Sequence, residues 1–328
     1  MDFDWMTPQE AADKWGITNR RVQALCANGQ VEGVVRLKGG WMIPKGTPKP
    51  PDGRVRNGRK PANKRELNGS MSITITDIEN GLNRLGVKDG MMLEVHCSLS
   101  SFGYVDGGAL TVIKAIKNVV GKNGSIVMPS FKDSPNLSLN EADKELGLTL
   151  KIKLLKGDEE KSGMGIVSDT FRKMPDVITG EGQFRVSAWG KDVDKHAANW
   201  FNHLIAFDGY ALLLGVDIYR MSTMHYVEDC LPKEIKDLFK PSEEAREIYP
   251  ESEWFIEAWT PSAKPWYTIQ EQAYEKGYIT DTMIGNSKCM LAHVKNVIGL
   301  YKKALQTDPF GLYGLSESGK TDSLCNGR

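Results

Sequence analysis

The stretch MMLEVHCSLSSFGYVDGGALTVIKAIKNVVGKNGSIVMP, residues 91–129, sets the expected fold. It opens with an apolar run, breaks into a Ser- and Gly-rich loop, and passes through Gly107-Gly108 into an amphipathic segment. A second Gly turn leads to another apolar run, SIVMP. Strand, loop, helix, strand is the unit from which parallel sheets are built. The loop delivers hydroxyls, small side chains and backbone N–H groups to a helix N-terminus, where the dipole favours an anion. A phosphorylated ligand is therefore the first expectation, and an enzyme the first function class.

Outward from this unit the composition is that of a globular protein, 40% hydrophobic and 26% charged over 328 residues. That length suffices for one large and one small domain. No stretch approaches the roughly 20 apolar residues of a membrane span, so no membrane partner is expected. The N-terminal MDFDWMTPQE lacks the apolar core of a secretory signal. Cys26, Cys97, Cys230, Cys289 and Cys325 are scattered, with no C-x-x-C pair. Neither a metal site nor a disulfide framework is expected, and a cytoplasmic location fits. The formal charges balance at 42 against 42, but unevenly: residues 1–70 hold 13 Lys/Arg against 7 Asp/Glu, and the remainder 29 against 35. A basic head on an acidic body suggests a polyanionic partner for the first and a cationic substrate for the second.

In the head, Thr7-Pro8 with Glu10 is a helix start. PQEAADKWG and NRRVQALCANG read as two short helices, followed by β-like runs in VEGVVRL and WMIP. Two helices and a hairpin make a small winged helix-turn-helix over residues 1–45. The segment TPQEAADKWGITNRRVQALCANGQVEGVVRLKGGWMIP resembles the excisionase/MerR-type DNA-binding domains. The resemblance implies that Asn19, Arg20, Arg21 and Gln23 open a recognition helix and that Arg36 and Lys38 sit on the wing, with DNA as partner. The plainer alternative is a docking module whose charges are solvated. Residues 46–71 form a basic Pro/Gly-rich linker, residues 72–308 the main domain, and residues 309–328 a flexible tail.

In the main domain, ITITDIENGLNRLGV is helical, Lys132–Lys161 is a polar insertion, and Gly165–Met174 is a helix. FRVSAWG and YALLLGV are strands, and LAHVKNVIGLYKKALQ closes the domain as a helix. The expected class is α/β, a mixed central sheet flanked by helices. The block LGVKDGMMLEVHCSLSSFGYVDGGALTVIKAIKNVVGKNGSIVMPSF resembles the N-terminal block of the aminoglycoside 3-N-acetyltransferases. SGMGIVSDTFRKMPDV, ALLLGVDIYRMSTMHYVED and IGNSKCML agree with that family in order, so the resemblance covers residues 72–300. It implies an antibiotic N-acetyltransferase-like fold and transfer of acetyl from acetyl-coenzyme A to an amine of an aminoglycoside-like substrate. Ser98, Leu99, Ser100, Ser101, Gly103, Val105, Gly107 and Gly108 would then hold coenzyme A.

The second motif is Ser222-Thr223-Met224-His225-Tyr226-Val227-Glu228, after a buried strand. His225 and Glu228, three apart, share a face of a helical turn and suit acyl transfer, which needs a base near the attacking nitrogen. The family's S-x-H-P string is absent. Aligning on Ala188-Trp189-Gly190 puts Glu181 where its His should stand, which makes Glu181 the third catalytic candidate. His196 and His203 are further candidates for the missing base. Cys97 falls on the loop, but nothing in the sequence marks it as an activated nucleophile, so direct transfer is favoured. Two function classes stay open: an N-acetyltransferase, or a catalytically impaired relative acting as a DNA-binding regulator or ligand sensor.

Overall fold

The structure, a computed structural model, describes residues 5–15, 17, 19–27, 31, 33–37, 40–49, 72–157 and 161–316. The chain divides into two compact units, Met1–Gly69 and Ser70–Arg328. No helix among the described residues is long and apolar enough to cross a membrane.

The first unit pairs helices Pro8–Trp15 and Asn19–Ala27 with a three-stranded antiparallel sheet of β1 (Trp5–Met6), β2 (Val35–Leu37) and β3 (Gly40–Pro44), in the order β1-β3-β2. The Thr7 hydroxyl accepts from Glu10 N (3.3 Å), and the Glu10 carboxylate accepts from Thr7 N (2.6 Å). These reciprocal bonds close the first turn as Thr-Pro-x-Glu suggested. Ala11, Ala12, Trp15, Val22, Leu25 and Ile43 meet in a small core. Asn19 Nδ2 donates to Gln9 Oε1 (2.9 Å), and Gln23 Nε2 to Asn19 Oδ1 (2.9 Å). Arg20 and Arg21 lie in the first turn of the second helix and Arg36 on β2. Lys38 and residues 50–71 lie outside the described residues.

The second unit is built on a seven-stranded sheet. Its strands are β4 (Met92–Cys97), β5 (Ser125–Pro129), β7 (Ile178–Thr179), β8 (Val186–Gly190), β9 (Tyr210–Leu214), β11 (Ile279–Ile284) and β12 (Ser287–His293). Their order is β11-β12-β9-β4-β5-β8-β7. The central pairs β4–β5 and β4–β9 are parallel, and the outer pairs antiparallel. The mixed sheet expected from the sequence is therefore present. Alternate residues feed two cores: Ala211 and Leu213 pack on one face, and Leu212 and Leu214 on the other. Covering both faces explains why these strands read as apolar runs rather than alternating ones. Helices Ile75–Leu85 and Ala109–Val120 cover the second face. The first of them starts at a Thr74–Asp77 capping box and ends at Gly86, φ 96°.

Three features differ from the sequence reading. Leu291-Ala292-His293, expected in the closing helix, belongs to β12, because a Gly285-Asn286 turn folds β12 back on β11 and β9 fills its other edge. The closing helix is Val294–Thr307. The polar insertion and the charged stretch 231–265 each supply a strand, β6 (Leu150–Lys153) and β10 (Trp254–Glu257), which pair antiparallel as a separate two-stranded sheet. Finally, Asp308 caps a helix at Pro309–Tyr313 and buries Leu312, Tyr313 and Leu315, so the tail is packed as far as Leu315. Residues 317–328 lie outside the described ones.

Candidate functional site

β4, β5 and β9 point the same way, so their C-terminal ends open at one edge of the sheet. The helix after β4 leads to β5 on one side, while β9 flanks β4 on the other. Such a reversal leaves a crevice beyond the strand ends. A cleft of about 940 Å³ lies there. Its walls come from the loop after β4, from Pro129 at the end of β5 and Phe131 beyond it, from residues between Gly215 and His225 after β9, and from Gly163–Ile166.

Of the residues expected to hold a cofactor, Ser98, Leu99, Ser100, Gly103, Val105 and Gly108 line this cleft. Ser101 turns away: its hydroxyl donates to Ser98 O (2.7 Å) and shares a hydrogen bond with Ser287 Oγ (2.8 Å). Gly107 also stands off the lining and makes the sharp turn, φ 76°, where a Cβ would overlap Thr111 Oγ1. Gly108, φ 61° and ψ −136°, caps helix Ala109–Val120, a backbone geometry that only glycine takes readily. Ser98 N donates to Leu214 O (2.9 Å), which ties the loop to the end of β9.

His225 and Glu228 lie on the 3-10 segment Ser222–Cys230, with His225 Nδ1 2.6 Å from Glu228 Oε2. The His225 side chain is 56% exposed and lines the cleft. Burial by surrounding protein opposes its charge, but the Glu228 bond, reinforced by the charges of Glu228, Glu94 and Glu257, raises the imidazole above its ordinary value. Glu257 on β10 is pushed up to about 7 by burial and by Glu228, with His225 acting in the opposite sense.

Glu181 is exposed in the loop between β7 and β8 and is not among the cleft-lining residues. His196 and His203 face each other on helix Val193–Ala206, Nδ1 to Nδ1 3.1 Å, against Phe207 and likewise off the lining. Burial, with His203 adding to it, lowers His196. Cys97 lines the cleft, but burial pushes its thiol far above the ordinary value, which leaves it a poor nucleophile.

Sequence reasoning did not single out His96, Glu94, Asp217, Tyr219 or Arg220. His96 lines the cleft, and its Nε2 lies 2.7 Å from the fully buried Glu94 carboxylate. Asp217 and Arg220 line it after β9, where Asp217 accepts from Tyr267 OH (3.0 Å) and Arg220 lies 5.0 Å from the Tyr219 ring. An ionisable residue inside an apolar parallel strand was the available signal for Glu94.

A family model described as aminoglycoside 3-N-acetyltransferase matches residues 95–306. The chain is 31% identical over 179 residues to the SPbeta prophage-derived aminoglycoside N(3')-acetyltransferase-like protein YokD of Bacillus subtilis (strain 168), a match covering 48% of this chain and 66% of that protein. It is 28% identical over 155 residues to aminoglycoside N(3)-acetyltransferase IV of a Salmonella species, covering 44% and 54%. The chain thus spans between about half and just under two thirds of these curated relatives. The solved structure of AAC-IIIb in a binary complex with CoASH superposes with a TM-score of 0.54 at 14% identity, over 72% of this chain and 97% of that one, a likeness of fold.

Proposed function

This chain belongs to the aminoglycoside 3-N-acetyltransferase family, and from that premise we propose that its cleft transfers acetyl from acetyl-coenzyme A to an amine of an aminoglycoside-like substrate. The observation carrying the proposal is the meeting, in one cleft, of the Ser/Gly loop before helix Ala109–Val120 and His225, which Glu228 holds from behind the lining by a 2.6 Å contact.

The loop suits coenzyme A. Ser98 and Ser100 offer hydroxyls, Gly103 and Gly108 allow close approach of the backbone, and the helix N-terminus favours the diphosphate. Where bound, the cofactor supplies an acetyl thioester. Glu228 accepts from His225 Nδ1–H and leaves Nε2 as the proton acceptor for the attacking amine. A raised imidazole pKa brings this base closer to an ammonium group than a free histidine. The net change forms one C–N bond and breaks one C–S bond, and the amine's proton ends on the departing thiol. The exposure of Glu181 outside the cleft lining supports His225 over Glu181 as the base.

The test is thiol release from acetyl-coenzyme A with a panel of aminoglycosides and simple amines, beside thermal melting with coenzyme A. Amine-dependent release and a raised Tm support the reading. Absence of both at millimolar ligand removes it.

A second reading concerns the first unit, proposed as a winged helix-turn-helix that binds DNA. Its support is the pair of short helices beside the β2–β3 hairpin, with Arg20 and Arg21 opening the second helix and a basic head. Joined to an inactive second unit, it would make the protein a regulator or ligand sensor. Arg20→Ala with Arg21→Ala should weaken binding to a selected duplex. Affinity that is weak and indifferent to sequence would count against a regulatory role.

A further inference from the structure

Glu94 sits in the middle of β4, fully buried, between the two parallel neighbours of that strand. Two other buried carboxylates have cationic partners: Asp143 faces Lys151 and Asp169 faces Arg172. Glu94 has no Lys or Arg against it among the described residues. Its oxygens are taken by Thr223 N (3.2 Å), by the Thr223 hydroxyl and by His96 Nε2 (2.7 Å). A buried carboxylate with no Lys or Arg beside it is costly, and an apolar residue would complete the strand more cheaply. What the carboxylate gains is a grip on another element. Thr223 stands two positions before His225, at the start of the segment carrying the base, and Ser222 N approaches the same His96 Nε2 at 3.3 Å.

We propose that Glu94 is a positioning residue for His225: from the sheet it clasps the turn that presents the imidazole. This rests on the reading of His225 as the base. The groups acting on the His225–Glu228 pair are identifiable element by element. Glu228 shares its segment, Glu94 comes from β4, where His96 is its neighbour, and Glu257 comes from β10. Asp217 and Arg220 share the cleft after β9. Tyr301 and Tyr313, from the two C-terminal helices, feel Glu228 and stay neutral, since burial raises both phenols. Of these, Glu94 is the one that reaches the turn from the sheet, joining hydrogen bonds to Thr223 with a charge on the imidazole.

The test uses the full chain with labelled histidine. The five histidine signals are followed by NMR across pH, and the signal missing in His225→Gln assigns the base. Glu94→Gln, which keeps the shape and removes the charge, should lower the His225 titration midpoint by about half a pH unit. It should also cut kcat about tenfold or more, with the KM for acetyl-coenzyme A changed less than about threefold. Thr223→Val, which cuts the clasp and keeps the charge, should lower kcat with the midpoint unmoved, and it carries the test if Glu94→Gln fails to fold. An unmoved midpoint in folded Glu94→Gln, or wild-type kcat in Thr223→Val, overturns the proposal. Absence of turnover in the wild-type chain overturns the acetyltransferase reading instead, and the titration still decides whether Glu94 acts on His225.

Discussion

Ser101 and Ser287, 186 positions apart, share a 2.8 Å hydrogen bond beside the backbone of Gly215. Gly215 has φ 68°, and a Cβ there would overlap both hydroxyls. The bond thus fastens the loop after β4 to the start of β12 where β9 ends.

Gly215→Ala should therefore spoil the loop. The left-handed backbone and the overlap together should cost about 2–4 kcal/mol. Thermal melting should show the loss, and the Tm increase given by coenzyme A should shrink or vanish. An Ala variant with unchanged melting and an unchanged coenzyme A response would refute the fastening role.

His225→Gln should leave the fold and coenzyme A binding in place, because the side chain is more than half exposed. Acetyl transfer should fall about 10²- to 10⁴-fold, the loss expected when a general base is removed. Thiol release within a few-fold of wild type would show that another group takes the proton.

The pH profile follows from the raised imidazole. As pH falls through its folded value, His225 takes a proton and stops acting as a base. The acid limb of kcat/KM should therefore lie above 6.5, the ordinary histidine value. Glu228→Gln removes the largest raising influence, so the limb should move to lower pH while the rate drops. A limb that stays in place in Glu228→Gln would separate the profile from this pair.

Cys97 should be dispensable for chemistry. Burial holds its thiol protonated at neutral pH. Cys97→Ala should keep activity within a few-fold, and rapid-mixing kinetics should show no burst of thiol. An acetyl group trapped on Cys97 and recovered by mass spectrometry would reverse this expectation.

The two-stranded sheet should be sensitive to acid. Burial alone would push Asp143 up, but Lys151 Nζ (2.5 Å) and Tyr249 OH (2.5 Å) outweigh it and hold the carboxyl below its ordinary value. Its stabilising contribution is complete above the unfolded value near 3.8 and is lost as pH falls through the lower folded value. Lys151→Met leaves the carboxylate uncompensated and should cost about 3–5 kcal/mol, read by denaturant unfolding at neutral pH. A loss below about 1 kcal/mol would show that the pair does not hold the sheet.

What could be read from the sequence was local. The unit from Met91 to Pro129 was legible because its apolar runs and Gly punctuation lie within forty residues, and the first helix because Thr7-Pro8-x-Glu10 carries its own cap. Non-local features escaped. Nothing local in the sequence shows that Ser101 shares a hydrogen bond with Ser287. Glu94 was passed over, because its partner Thr223 lies 129 positions on. Lys132–Lys161 read only as a polar insertion because its strand pairs with Trp254–Glu257, about a hundred positions on. Glu181 was placed by alignment on Ala188-Trp189-Gly190, yet the turn before β8 leaves it outside the cleft lining. The helix after Asp308 was readable, since Asp followed by Pro is a helix start, but the composition of the tail hid it.

The loop after β4 and the segment after β9 leave from adjacent parallel strands paired Cys97 to Leu214. Neighbouring strands keep a spacing of about 4.8 Å, so the hydrogen-bond ladder acts as a ruler between the two halves of the proposed reaction. A site with both halves on free loops would drift apart under distant substitutions. Here such changes should reach the acceptor through the outer walls, appearing in the KM for the amine before they appear in kcat.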